Sequence, residues 1–437
     1  MSRQFIKEKA APLFLLAVLA IGAYLPTLTQ PFISDDYPNI ELALSYGPIS
    51  GWKEMANDSV QRPRMTTFVF SYAIYHFFGL HPAAFYAANI LLHVLNCWLL
   101  FAAGRWTALG YRVSFWAAAF FAVYEGHSEA IMWFSACNEL LMFFFGFLSF
   151  NFWLVFLGKE RARLRWLALS FFFFLLALLS KESAVIFTAL FALPLFFPKI
   201  RLKEAPYLLP YVLICVPYVI AIFMTRSHSF RFRDRSFVLS APFWLTWTSS
   251  YARLLWFWGL SALISLFVWK RTIRDRQSSI FNIRLAIPVA ALWIGIGFIP
   301  YMFVDYMHKI PSRQIYLASA GLAWLIGAAL VVMKDRCAGR YKWAPPVILL
   351  LILLSNVAYL WTKKRGQYLE RAQPTEQLIS LAGSVDGPIY VKCFPSNMVQ
   401  LHAEAALKLV LNKPADTLIW TEEEARKRPP AATFCHQ

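Results

Sequence analysis

The chain has 437 residues, of which 59% are hydrophobic and only 15% are charged. Ordinary globular proteins carry about 45–50% apolar and about 25% charged residues, so this composition excludes a soluble protein. The 40 Phe, 19 Tyr and 17 Trp residues suit helices that contact lipid and end in aromatic belts at the lipid headgroups. We therefore expect an all-α polytopic membrane protein.

The formal net charge of +18 could indicate a nucleic-acid partner, because basic clusters neutralise phosphates. The distribution of the charge argues against it. Lys and Arg fall mainly in short tracts between apolar runs, which is typical of cytoplasmic loops: 159–165, 199–203, 270–276 and 334–342. We predict membrane lipids, and no nucleic acid, as partners.

The first predicted membrane span covers residues 12–28. Arg3, Lys7 and Lys9 precede it and no small-residue cleavage site follows, so we predict a retained helix rather than a signal peptide. Apolar runs predict further spans at 82–104, 113–124, 130–157, 165–180, 183–198, 206–224, 252–269, 285–304, 314–332 and 345–361. The total is about eleven, and the shorter runs indicate tilted, broken or re-entrant helices around a cavity.

These spans divide the chain into a transmembrane domain, 1–362, and a tail, 363–437. Over the short loops, one side of the membrane receives about twice as many Lys and Arg as the other, which predicts that the opposite side and the tail face outward. Residues 30–81 form the first outer loop. Its apolar, aromatic part, 65–78, is predicted to be a helix in the membrane interface.

The tail is predicted to be a small soluble α/β domain. Its pattern indicates two helices and two strands, the helices at 375–382 and 397–411 and the strands at 388–394 and 416–420. The six cysteines of the chain form no CxxC motif and no zinc-ligand spacing. Only Cys393 and Cys435 could plausibly pair.

Two adjacent carboxylates, Asp35 and Asp36, come directly after the first span. One could act as a general base while its neighbour orients it, or the two could bind a divalent cation such as Mg²⁺ or Mn²⁺. The alternative, which the motif by itself favours, is a solvated acidic turn that caps the next helix.

A second acidic cluster, Glu125 to Glu129, is predicted on the same outer face. It contains His127, whose ordinary pKa lies near neutrality, and Asn138 follows on the next helix. The alternative is a polar turn in which Ser128 caps a helix.

Candidate cations lie in the other outer segments. Lys181 and Glu182 form an ionisable pair between two apolar runs, and a local ion pair that breaks the hairpin is the alternative. The segment 226–235 carries Arg226 and Arg231 among aromatic residues, where Arg could bind phosphate or lipid headgroups. Arg313 and Tyr316 precede the tenth span.

The order of these motifs resembles a known family. The motifs are Asp35-Asp36, Arg62-Pro63, Gly79-Leu80-His81-Pro82, Leu91-Leu92-His93-Val94-Leu95-Asn96, His127-Ser128-Glu129-Ala130, Asn138-Glu139-Leu140-Leu141, Ser180-Lys181-Glu182 and Arg313-Gln314-Ile315-Tyr316-Leu317. Over residues 10–330 the chain resembles the membrane core of TPR-containing O-mannosyltransferases and their bacterial relatives, in the GT-C glycosyltransferase superfamily.

The resemblance implies an inverting transfer of a sugar from a polyprenyl-phosphate donor to a glycan, lipid or protein acceptor, without a metal. Asp35, as first choice, or Asp36 would be the catalytic carboxylate, and Glu129 would belong to a second acidic site. The remaining residues implied to bind substrate are Arg62, His127, Asn138, Lys181, Glu182, Arg226, Arg231, Arg313 and Tyr316. The implied location is a bacterial inner membrane, with the active site and carboxy terminus in the periplasm.

The chain departs from the family in its tail, where no TPR array follows, and this leaves the acceptor open. A transporter or lipid-linked-sugar flippase is the alternative function. Transporters tend to show internal repeats and ion-coupling residues near the bilayer midplane, whereas the ionisable residues here cluster at one face. A scaffold without catalytic activity is a third hypothesis, which replacement of Asp35 would distinguish.

Overall fold

The computed structural model describes residues 3–58, 61–158, 163–225, 238, 240–270, 280–303, 312–336, 343–394 and 399–436. Twelve helices form its first half: α1 (Arg3–Tyr24), α2 (Asp36–Tyr46), α3 (Trp52–Asn57), α4 (Met65–Phe78), α5 (Pro82–Ala102), α6 (Gly110–Val123), α7 (Ser128–Ile131), α8 (Cys137–Gly158), α9 (Arg163–Leu178), α10 (Phe187–Leu190), α11 (Leu193–Phe196) and α12 (Leu209–Met224). The predicted interfacial helix coincides with α4. It ends at Gly79, whose φ of +65° only glycine adopts without strain.

The described residues of the second half contain eight helices and three short strands: α13 (Phe243–Leu255), α14 (Trp258–Lys270), α15 (Ile280–Phe298), α16 (Ser319–Arg336), α17 (Ala344–Tyr359), α18 (Arg365–Ser384), β1 (Ile389–Cys393), α19 (Val399–Leu411), β2 (Leu418–Ile419), α20 (Glu422–Lys427) and β3 (Ala432–Cys435). The predicted polytopic helical architecture with a small α/β tail is confirmed.

Within the described ranges, five helices are long and apolar enough to cross a membrane, or six if α13 and α14, bent by 67°, form one span. The predicted total of about eleven stays a prediction. Helices are broken within a short apolar run, as predicted. The run predicted at 183–198 consists of a 3₁₀ segment, Glu182–Ile186, followed by α10 and α11.

The core between α6, α8, α15 and α16 is aromatic on one side and made of small residues on the other. Trp293 and Trp324 lie edge to face, with ring centroids 4.8 Å apart. A Cβ added at Gly327 would lie 2.4 Å from the carbonyl oxygen of Val113, so α16 and α6 approach closely only because glycine stands there.

The tail forms a three-stranded parallel sheet in the order β2-β1-β3, with Cys393 and Cys435 joined by a disulfide. The third strand, β3, was not predicted. It follows Pro429 and Pro430 and lies at one edge of the sheet. The helix predicted at 375–382 is longer than predicted. α18 starts at Arg365 and continues α17 through a π-helical segment, Leu360–Lys364, because Tyr368 and Ala372 are buried.

The tail packs on the first outer loop. Ala405 and Ala406 of α19 belong to the same buried cluster as Phe32, Tyr37 and Ile40. The Tyr37 hydroxyl also donates to Glu376 Oε1 at 3.2 Å. The tail is therefore seated against the segment that carries the paired aspartates.

Candidate active site

Asp36 is fully buried at the start of α2 and anchors the first outer loop. Its Oδ1 accepts hydrogen bonds from the Ser135 N–H at 2.8 Å and hydroxyl at 2.7 Å. Its Oδ2 accepts from the Ile33 N–H at 2.9 Å and the Tyr86 hydroxyl at 3.4 Å. Burial raises the pKa of Asp36 to about 7, against the opposing effect of the Ile33 and Ser135 hydrogen bonds. With both oxygens occupied, Asp36 is suited to holding the loop in place.

Asp35 has different surroundings, although it is adjacent in sequence. Its side chain is 38% exposed, and Oδ1 lies 2.5 Å from Nε2 of His402 on α19. Ser34, which precedes it, adopts a φ of +38°, a conformation that non-glycine residues rarely occupy and that is typical of functional sites. The turn therefore presents Asp35 outward while burying Asp36.

Glu129 is held by the segment that precedes α16. Its Oε2 accepts from the Ser312 hydroxyl and, at 3.1 Å, from the Arg313 N–H. Its Oε1 lies 2.6 Å from Nη1 of Arg313. Burial alone would raise the pKa of Glu129, but Arg313 and the hydrogen bonds from Ser312 and Arg313 hold it below its usual value. Glu129 is thus an ionised partner of Arg313.

Two arginines contact the same tryptophan beside this carboxylate. The guanidinium carbons of Arg313 and Arg371 lie 5.0 Å and 4.9 Å from the ring centroid of Trp133. Arg371 also acts electrostatically on Glu129. Two cations from distant parts of the chain therefore meet around one acidic residue.

Residues 128–135 connect the two acidic clusters. Ser135 binds Asp36, Trp133 contacts the arginines, and Glu129 binds Arg313. The two motifs predicted on one face are thus joined through eight consecutive residues.

A cavity of about 880 Å³ opens beside Ser128 and Ser312. Arg253 and Lys364 are its basic residues, and Glu125 and Asn356 are among its polar ones. The Glu125 N–H donates to Asn356 Oδ1 at 3.1 Å. The walls are mostly apolar: Leu254, Phe257, Trp258, Ile315, Ile348, Leu351 and Ile352. An apolar cavity with cations suits a molecule that combines a hydrocarbon chain with an anionic group.

Lys181 pairs with a different carboxylate from the one expected. It forms a buried ion pair with Glu139, to which the Tyr301 hydroxyl donates at 3.3 Å. Glu182 lies 3.5 Å from Arg64. The predicted contact of Lys181 and Glu182 with substrate stays a prediction, and the burial of Lys181 argues for a structural role.

His127 and Tyr316 are fully buried among the helices. His127 Nε2 lies 2.7 Å from the Ser319 hydroxyl, and His93 Nδ1 lies 2.7 Å from the Tyr316 hydroxyl. The rings of His127 and Tyr316 pack together with centroids 4.5 Å apart. This burial argues against the predicted substrate contact of both residues, because a buried hydrogen-bonded ring cannot reach a ligand outside. Asn138, at the start of α8, is likewise buried.

Other predicted residues fall outside these clusters. Arg62 begins the 3₁₀ segment Arg62–Arg64, and the position of its side chain is not described. Arg226 and Arg231 lie outside the described residues.

A metal does not fit the paired aspartates. Both oxygens of Asp36 accept protein hydrogen bonds, and Asp35 is paired with His402. Across the part of the chain that the structure describes, no group of three or more His, Cys, Asp or Glu residues is arranged to hold a metal ion.

The sequence matches no protein-family model and no curated protein. The structure is similar to that of the archaeal oligosaccharyltransferase AglB from Archaeoglobus fulgidus in complex with an inhibitory peptide and a dolichol-phosphate. The TM-score is 0.55 at 11% identity, over 97% of this chain and 66% of that one. The same enzyme in complex with Zn and sulfate gives 0.53 at 12% identity, over 96% and 64%. ArnT from Cupriavidus metallidurans bound to undecaprenyl phosphate gives 0.47 at 15%, over 96% and 88%.

At these identities the oligosaccharyltransferase structures show the fold alone, and this chain spans slightly less than two thirds of their length. The GT-C-like fold that the resemblance implied is therefore confirmed. The protein is an integral membrane protein built on that fold.

Sequence reasoning missed two basic residues and a tyrosine at the start of the tail. Lys364, Tyr368 and Arg371 follow one another at i, i+4 and i+7, so they share one face of a helix. The sequence places them in the predicted tail. In the structure, the π-helical segment Leu360–Lys364 and α18 place them beside the site. His402 and Arg253 were missed because no local motif marks them.

Proposed function

We propose that the protein is a membrane glycosyltransferase that transfers a sugar from a polyprenyl-phosphate donor to an acceptor hydroxyl or amide. One observation carries the proposal. Asp35 is partly exposed, its neighbour Asp36 is bonded to Ser135, and Ser128 of the same segment, 128–135, lines a mostly apolar cavity with basic residues.

The cavity suits the donor. Its apolar walls favour the first isoprene units of a lipid chain, because burial of hydrocarbon from water is favourable. Arg253 and Lys364 suit the phosphate, which is the anionic part of the same molecule. Arg313 directly follows Ser312, which lines the cavity, and Arg371 contacts the same Trp133 ring as Arg313.

Asp35 suits the acceptor. It takes the proton of the acceptor hydroxyl or amide while that atom bonds to C1 of the sugar. The bond between C1 and the phosphate oxygen breaks with its electron pair, and polyprenyl phosphate leaves. Negative charge grows on the phosphate, so a cation beside the departing oxygen stabilises the transition state more than the ground state, whereas a cation that only neutralises the phosphate binds both alike. Attack opposite the leaving group inverts the anomeric configuration.

The site faces outward in this proposal, into the periplasm of a bacterium. The Cys393–Cys435 disulfide supports an oxidising compartment for the tail, since disulfides are rare in the cytosol. A reporter active only outside the cytoplasm, fused after Gln437, should be active, and a cytoplasm-only reporter should be silent. The reverse result would remove the common outer site.

Purified protein tests the activity. Reconstituted with polyprenyl-phosphate sugars and a mixture of outer-surface glycans, lipids and peptides, it should release polyprenyl phosphate and form one product of inverted configuration, both detected by mass spectrometry and NMR. Movement of the intact donor between leaflets without release of polyprenyl phosphate would support the flippase hypothesis instead.

A further inference from the structure

One histidine of the tail touches the carboxylate that we propose as the base. Nε2 of His402 lies 2.5 Å from Oδ1 of Asp35, although 367 residues separate them in the sequence. The two atoms are in direct contact at ion-pair distance, so the ring of His402 lies against one oxygen of the carboxylate. The His402 side chain is only 5% exposed, whereas that of Asp35 is 38% exposed. The acceptor can therefore reach Asp35 but not His402.

Helix α19 is built to hold this histidine in place. The residues at i+3, i+4 and i+7 from His402 pack against the first outer loop, and they are Ala405, Ala406 and Leu409. A separate stripe, Ala403 and Leu407, packs on the sheet of the tail. At the end of α19, Lys408 Nζ lies 2.5 Å from Glu41 Oε1 of α2. Helix α19 thus packs between the sheet of the tail and the first outer loop. Two contacts fix its position along the loop, His402 with Asp35 and Lys408 with Glu41.

We infer that His402 is a positioning residue for the transfer reaction, supplied by the tail to orient the Asp35 carboxylate. The inference rests on the proposed function. His402 fixes one oxygen of the carboxylate, so that the carboxylate meets the acceptor in a single orientation. This gives the tail a role in catalysis. The transmembrane domain supplies the base and most of the donor cavity, and the tail adds Lys364 to the cavity and His402 to the base.

Three variants test the role of His402. His402→Ala should lower kcat by about tenfold or more, with the KM for the polyprenyl-phosphate donor unchanged, because the base loses its orientation while the donor cavity is intact. His402→Gln should restore most of kcat, since its amide nitrogen reaches the position of Nε2. His436→Ala is the matched control. His436 belongs to the same tail but lies 2.8 Å from Gln377, so both kinetic constants should stay at the wild-type values.

A structural role would give a different pattern. In the Asp35→Asn background, His402→Ala should cause no further loss of kcat, because the base it positions is already absent. A second loss of equal size, a Gln variant as impaired as the Ala variant, or an unchanged kcat in His402→Ala would each overturn the inference.

The contact also has a readout that needs no donor. Thermal unfolding of the Asp35→Asn, His402→Ala and double variants should show a coupling between the two residues, and additive effects would overturn the inference. A wild-type protein that transfers no sugar from any polyprenyl-phosphate donor would instead refute the proposed function.

Discussion

Asp35 and Glu129 both belong to acidic clusters predicted on the outer face, yet their carboxylates differ in exposure and in the partners that bind them. Glu129 is only 14% exposed and is held by Arg313 through a main-chain hydrogen bond and an ion pair. Asp35 is 38% exposed, with His402 beside it. A base needs a lone pair that the acceptor can reach, and a structural anion needs the reverse. The difference supports the proposal that Asp35 transfers the proton and that Glu129 orients a cation.

The largest effect is expected at Asp35. Asp35→Asn keeps the size of the side chain but removes the proton acceptor, so turnover should fall by roughly a hundredfold or more while folding and donor binding survive. Transfer kinetics and donor binding on the purified variant would measure this. Asp386→Asn, an exposed residue of the tail, is the control and should behave as wild type.

One pair of results would exchange the roles proposed for Asp35 and Glu129. If Asp35→Asn retained full transfer activity and Glu129→Gln abolished it, Glu129 would be the base and Asp35 a surface residue.

The next largest effect is expected at Arg313. Arg313→Ala should lower kcat/KM for the donor by about thirty- to a hundredfold, because the site loses a charged partner and Glu129 is left as an unpaired partly buried anion. Arg313→Lys should lose less, since it keeps the charge without the planar fork. Steady-state kinetics of the three proteins would measure the order. Equal kinetics would place the phosphate away from Arg313.

A smaller effect is expected in the cavity. Lys364→Ala should raise the KM for the donor by about tenfold with little change in kcat, because this cation contributes to binding the phosphate in the ground state as well as in the transition state. Lys363→Ala is the matched control. Lys363 is the exposed neighbour in the same helical segment and is absent from the cavity lining, so its KM should be unchanged. An equal rise in both variants would indicate a general attraction to the membrane surface instead.

The contrast between Asp35 and Glu129 also marks what the sequence can and cannot predict. Hydrophobic runs predicted the helices of the membrane region well, because burial in lipid leaves a strong local pattern. The sequence indicated Cys393 and Cys435 as the two cysteines that could pair but left the disulfide itself open, and the structure joins them. The first choice of Asp35 over Asp36 as the base stays a prediction, and a sequence cannot show that four donors surround Asp36.

Long-range partners escaped prediction for one physical reason. His402, Arg371 and Arg253 reach the site only because distant helices pack together, and no spacing within the chain records this. The buried ion pair of Lys181 with Glu139 is the same case, since the local alternative considered only Glu182. The helical face of Lys364, Tyr368 and Arg371 was readable, and a search for basic residues at helical spacing would have found it.

The smallest effect concerns Asp36, through stability rather than turnover. Asp36→Asn should destabilise the protein by about 1–3 kcal/mol, because its amide N–H₂ would face the backbone donor of Ser135 or Ile33. Burial raises the pKa of Asp36 from 3.8 to about 7, so between these values the folded protein keeps a proton that the unfolded chain has released. The folded state of the wild type therefore loses stability from this group as the pH rises through that window, whereas asparagine does not titrate. The difference in thermal unfolding temperature between wild type and Asp36→Asn should become smaller from about pH 5 to about pH 8. The corresponding difference between wild type and Asp386→Asn should show no such trend. A constant difference would mean that Asp36 is ionised throughout, with its four donors outweighing its burial, and would make it as permanent an anion as Glu129.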